Sequence, residues 1–125
     1  QTVDERVPQD AAMVATAITP DYALGGHTAS LGLCWLPGGT LTGFPEGMAI
    51  GQHGSWNRST LSGYRVVFVP FANGKPSGPP RDILWGFLSP DEKYSYGRPV
   101  GVSLAPGGGI LVADDVGDVI WRVTG

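Results

Sequence analysis

A chain of 125 residues, 42% hydrophobic and 15% charged, carries enough apolar material for one small core and is too apolar to remain disordered. A formal net charge of -3 offers no basic footprint for a phosphate backbone, so nucleic acid is not expected as a partner, and no run approaches the ~18 apolar residues of a membrane-spanning helix. Twenty glycines and eleven prolines must then sit in the turns of a folded, turn-rich domain.

In chain order, residues 1–8 lack the charged start and apolar run of a leader, and 11–18 read equally as a strand or a helical turn, since Ala and Met favour a helix while the flanking prolines favour neither. Residues 1–26 are therefore expected to be a connecting segment or the outer strand of a preceding unit. From there, short stretches rich in Val, Ile, Leu and aromatic residues predict strands at 29–36, 47–51, 64–71, 99–104, 110–113 and 119–123, with a weaker one at 82–88. Turn signals separate them: Pro37-Gly38-Gly39, Asn73-Gly74, Pro106 followed by three glycines, and Gly117-Asp118. The fold class this implies is all-β.

An internal repeat organises these strands. Residues 27–33 align with 98–104, pairing His27 with Arg98, and a Pro-Gly turn follows each copy. Residues 48–51 then match 110–113, and 64–69 match 118–123, so one antiparallel meander occurs twice. Such repetition suits the blades of a β-propeller, with units at 27–88 and 96–125, although the strand count alone also permits a sandwich. Two blades cannot close a ring, so the propeller reading makes this chain part of a larger one whose other blades precede it.

Antiparallel neighbours bring the start of each inner strand beside the end of the second strand. His27, Arg98, the 52–58 loop, Asp114 and Asp115 should therefore gather at one channel mouth, where small ligands often bind. The loop Gln52-His53-Gly54-Ser55-Trp56-Asn57-Arg58 offers an imidazole, an indole face and a guanidinium, a set suited to a flat anionic ligand. Equally open is a structural use, with Trp56 packed between blades and Arg58 paired to Asp91 or Glu92. His27 can be read as a histidine satisfied beneath the loops, and Arg98, extended by the following Pro99, as half of a surface salt bridge. Asp114-Asp115 beside Gly117 reads as a turn capped by carboxylates, because a calcium loop would need alternating Asx positions and a closing glutamate. Two histidines without a spaced His/Cys cluster predict no metal site in this chain, and Cys34, in an apolar run, reads as a buried structural thiol.

The segments Gly51-Gln52-His53-Gly54-Ser55-Trp56-Asn57-Arg58-Ser59 and Gly97-Arg98-Pro99-Val100-Gly101, with the strand pattern from His27 to the C-terminus, resemble the sorbosone dehydrogenase family, which depends on pyrroloquinoline quinone (PQQ) and is related to the soluble quinoprotein glucose dehydrogenases. The resemblance implies the last two blades of a six-bladed β-propeller, PQQ across the top face, calcium bound mainly by other blades, and oxidation of a sugar or sugar aldehyde by hydride transfer to the quinone. It also implies an external electron acceptor, the remaining N-terminal blades as partners, and a periplasmic or secreted location. Arg98 matches a cofactor-binding position, and His53, Arg58, His27 and Trp56 fall near cofactor contacts. The family's general base lies in earlier blades, so no catalytic residue is assigned and this portion alone is expected to be inactive. The competing expectation is a non-catalytic propeller module that binds carbohydrate or protein.

Overall fold

The computed structural model describes Arg6 and residues 8–125, so the first part of the 1–26 segment lies outside the described residues. After a short helix, α1 (Ala11–Ala15), come β1 (Ser30–Leu36), β2 (Gly47–Gln52), β3 (Arg65–Ala72), β4 (Lys75–Pro76), β5 (Arg81–Leu84), β6 (Pro99–Leu104), β7 (Ile110–Asp114) and β8 (Val119–Val123). All pairings between them are antiparallel, within two sheets: β1-β2-β3 with β4 and β5 both on β3, and β6-β7-β8. The α1 turn resolves the ambiguity at 11–18 in favour of a helix. Asp10 caps it by accepting from the Ala12 and Met13 amides at 3.0 and 3.1 Å, and none of its residues is buried.

β3 shows why the meander forms here. Val66 and Phe68 point into one apolar cluster and Val67 and Val69 into another, so this central strand is buried on both faces. The first cluster joins the sheets: Leu36, Ala49, Val66 and Phe68 of one pack with Ile110 and Val112 of the other. Gly32 and Gly51 let the inner strand β6 come close, since a Cβ at either would run into the Val100 carbonyl. β6 packs against β1 and β2, so the two units meet at their inner strands.

The outer surfaces of this pair remain apolar and open. On the first unit Leu31 and Leu33 are exposed, and Tyr22 and Leu24 border a cleft of about 210 Å³ with Met48, Ile50, Val69 and Phe71. On the second unit Val119 and Ile120 are exposed beside Ala113.

The register confirms the repeat for the second and third strands and corrects it for the first. Gln52 pairs with Arg65 as Asp114 pairs with Val119, so 48–51 and 110–113 are equivalent, as are 65–69 and 119–123. In the inner strands, Ser30 faces Gln52 and Pro99 faces Asp114, each ahead of a bulge. Ser30 therefore matches Pro99, and the counterpart of Arg98 is Ala29 rather than His27. A shift of two residues preserves strand alternation, so the small-large pattern could not detect the slip. The weak strand at 82–88 is also shorter than expected: β5 stops at Leu84, Gly86 turns at φ +95°, and Leu88 only bridges to Ser95.

Candidate functional site

The paired registers put the starts of β1, β3, β6 and β8 at the same end as the finishes of β2, β5 and β7. The residues singled out from sequence lie at this end, and their surroundings differ sharply.

The backbone of the loop after β2 is pinned. His53 N donates to Ala29 O at 2.9 Å, Gly54 N to Thr28 O at 3.0 Å and Ser55 N to Ser62 O at 2.8 Å. The buried Tyr64 hydroxyl donates to Ser55 O. Gly54 adopts φ +93° with the Tyr64 ring against its Cα, so no side chain fits there.

Arg98 completes this arrangement from the second unit. Its Nε donates to His53 O at 2.8 Å and its Nη2 to Gly54 O at 2.7 Å and Ser55 O at 3.4 Å, while the guanidinium carbon lies 5.0 Å from the Tyr64 ring centroid. The salt bridge considered for Arg98 is thus replaced by a clamp on carbonyls across the unit boundary. Nη1 makes no hydrogen bond among the described residues.

Asp114 anchors the clamp from below. It is 3% exposed, and its Oδ1 accepts from the amides of Arg98 (2.8 Å), Val116 (3.2 Å) and Gly117 (2.8 Å), while Oδ2 accepts from Trp121 Nε1 at 3.1 Å. Burial pushes this carboxyl upward, but the hydrogen bonds outweigh it and hold its pKa below the usual carboxylate value. The carboxylate-capped turn read from sequence is present. Gly97 and Gly117 make room for it, because a Cβ at either would collide with the Asp114 carboxylate.

Trp56, Arg58 and His27 are exposed, whereas the His53 side chain is largely enclosed. Trp56 is 85% exposed and does not pack between the two units. Arg58 donates through Nη1 to Gly26 O at 3.2 Å rather than pairing with Asp91 or Glu92; Asp91 meets Lys93, and Glu92 accepts from the Leu61 amide. His27 is exposed, not covered by loops, and takes a left-handed backbone at φ +61°. His53 Nε2 lies 2.9 Å from Asp115 Oδ1, a contact between units that the sequence did not suggest. Cys34 is half-buried against the first cluster rather than fully buried. No group of three metal-ligating side chains occurs among the described residues.

The loop therefore combines a fixed backbone with an exposed indole, a guanidinium and an imidazole on one end of two antiparallel units. Residues 2–125 match the family model described as TrAA12-like. The chain belongs to the TrAA12-like family. The PQQ domain of pyranose dehydrogenase from Coprinopsis cinerea, in its holo form, superposes with a TM-score of 0.66 at 27% identity, covering 88% of this chain and 30% of that one. A carbohydrate-active enzyme of family AA12 from Trichoderma reesei, solved with iodide, gives a TM-score of 0.50 at 30% identity over 58% of this chain and 20% of that one. An uncharacterized protein of Borreliella burgdorferi is 36% identical over 107 residues, 82% of this chain. The chain spans 27% of that relative's length. The two units are consecutive blades of a β-propeller, and no helix among the described residues is long and apolar enough to cross a membrane.

Proposed function

We propose that this chain contributes two blades of the cofactor wall of a PQQ-dependent sugar oxidoreductase, the last two of a six-bladed ring. The observation that carries the reading is the loop after β2, whose backbone is hydrogen-bonded at His53, Gly54 and Ser55 and whose Trp56 and Arg58 side chains are exposed. Exposed aromatic and cationic side chains ordinarily lose conformational freedom on binding; a rigid loop lowers that cost. The likeness to a PQQ domain of a pyranose dehydrogenase supports the same reading.

The donor set fits PQQ, a planar tricarboxylate. The Trp56 indole offers a stacking face, the guanidinium of Arg58 and Nη1 of Arg98 offer donors to carboxylates, and His53 and His27 add polar edges. When bound, the quinone supplies the two-electron acceptor for a hydride from a sugar or sugar aldehyde carbon. The residues of this chain bind and orient: Asp114 fixes Arg98, Arg98 fixes the loop carbonyls, and the loop presents Trp56 and His53. Calcium, where required, would be held by other blades. The open apolar flanks around Leu33 and Ile120 are then covered by neighbouring blades, in keeping with a chain that spans under a third of its relatives. The location proposed is periplasmic or secreted, with an external electron acceptor.

The test is dye reduction by the intact protein loaded with PQQ and calcium, across a panel of aldoses and sorbosone. PQQ-dependent turnover on at least one sugar or sugar aldehyde is expected; no cofactor-dependent reduction across the panel would refute the proposal.

A further inference from the structure

His53 and Asp115 each stand one residue past the end of the second strand of their unit, after the equivalent pair Gln52 and Asp114. The repeat thus brings matching positions of consecutive blades into contact, with His53 Nε2 2.9 Å from Asp115 Oδ1. The backbone on both sides is fixed. His53 N donates to Ala29 O at 2.9 Å and its carbonyl accepts from Arg98 Nε at 2.8 Å, while the amides of Val116 and Gly117 just past Asp115 are held by the Asp114 carboxylate. The side chains are 20% and 59% exposed, so the imidazole is largely enclosed and the carboxylate sits at the rim.

An ionised carboxylate only accepts hydrogen bonds, so the ring nitrogen facing it must carry the hydrogen. In the neutral ring that hydrogen is then on Nε2, and Nδ1 keeps its lone pair, because the bond made by one nitrogen decides the state of the other. Nδ1 has no hydrogen-bond partner within the described residues. We infer that Asp115 is a positioning residue for His53: it holds the imidazole in the Nε2–H form across the blade boundary and leaves Nδ1 to accept from an N–H or O–H donor of a ligand at this mouth. The identity of that ligand as PQQ rests on the proposed function; the orientation of the ring does not.

The experiment uses the intact protein with ¹⁵N-labelled histidine, at a pH where the ring is neutral, and His53→Gln to assign the signal. A slowly exchanging Nε2–H resonance, shifted downfield by its carboxylate partner, is expected in the unmodified protein. It should be lost in Asp115→Ala and retained, less shifted, in Asp115→Asn, whose side-chain oxygen still accepts. Proton occupancy at Nδ1, or an unaltered resonance in Asp115→Ala, would overturn the inference. A PQQ titration of the same proteins follows the functional consequence, and affinity should fall about tenfold in Asp115→Ala, the scale of one charge-assisted hydrogen bond. Unchanged affinity with the resonance lost would overturn the positioning role. A protein that binds no PQQ while the resonance responds as described would instead remove the PQQ reading and uphold the control of His53 by Asp115.

Discussion

Replacing Asp114 by Asn isolates the charge at the base of the site, because Asn keeps an oxygen where Oδ1 stands and puts an NH2 group where Oδ2 stands. The Arg98, Val116 and Gly117 amides keep an acceptor, but their bonds change from charge-assisted to neutral. The Trp121 Nε1–H, 3.1 Å from Oδ2, would face a donor instead of an acceptor. Weakening of the three amide bonds and loss of the fourth together predict a destabilisation of about 3 kcal/mol. Denaturant unfolding of the intact protein at neutral pH measures it. The pH dependence supplies a second check. The folded-state pKa of Asp114 is lowered, so the stability it adds is present above the usual carboxylate value of about 3.9 and is lost as pH falls through the lower folded value. The gap between the unmodified protein and the Asn variant should therefore narrow on acidification. A cost below about 0.5 kcal/mol at neutral pH, the range of an unremarkable surface change, would refute the assignment of Asp114 as the anchor.

Arg98→Ala should weaken PQQ binding by tenfold or more and raise hydrogen exchange at the amides of 53–55, since the clamp on three carbonyls goes with the side chain; mass-resolved exchange and a PQQ titration check both. Trp56→Ala should leave stability within about 0.5 kcal/mol, because the indole is 85% exposed, while reducing PQQ affinity; thermal unfolding of the cofactor-free protein separates the two effects. Gly51→Ala should destabilise by about 1–3 kcal/mol, because the added methyl meets the Val100 carbonyl and pushes the inner strands apart; denaturant unfolding is the measure.

The strands were legible because β-branched and aromatic runs ended by Gly and Pro punctuate this chain clearly, and β6 and β8 have the predicted bounds. The two-residue β4 was not, since Lys75–Pro76 carries no pattern longer than the Asn73-Gly74 turn that creates it. The composition of the 52–58 loop drew attention to Trp56 and Arg58 but could not choose between burial and exposure, which depends on how Tyr64 and Arg98 hold the loop from other elements. The clamp itself, joining Arg98 to carbonyls some 45 positions away, leaves no trace in local spacing. A weak signal existed for Asp114: two nearby glycines, Gly97 and Gly117, whose lack of side chains makes room for its carboxylate. The repeat put Asp115 at the same mouth as His53, but nothing in the sequence showed that the two side chains touch.

The most direct test of the central claim is the structure of the intact protein determined with PQQ. The account predicts the cofactor at the end of the blades where β2 and β7 finish, with Trp56 against its ring plane and Arg58 or Arg98 Nη1 within hydrogen-bond distance of a carboxylate. PQQ bound elsewhere, with the 52–58 loop facing bulk solvent, would contradict it.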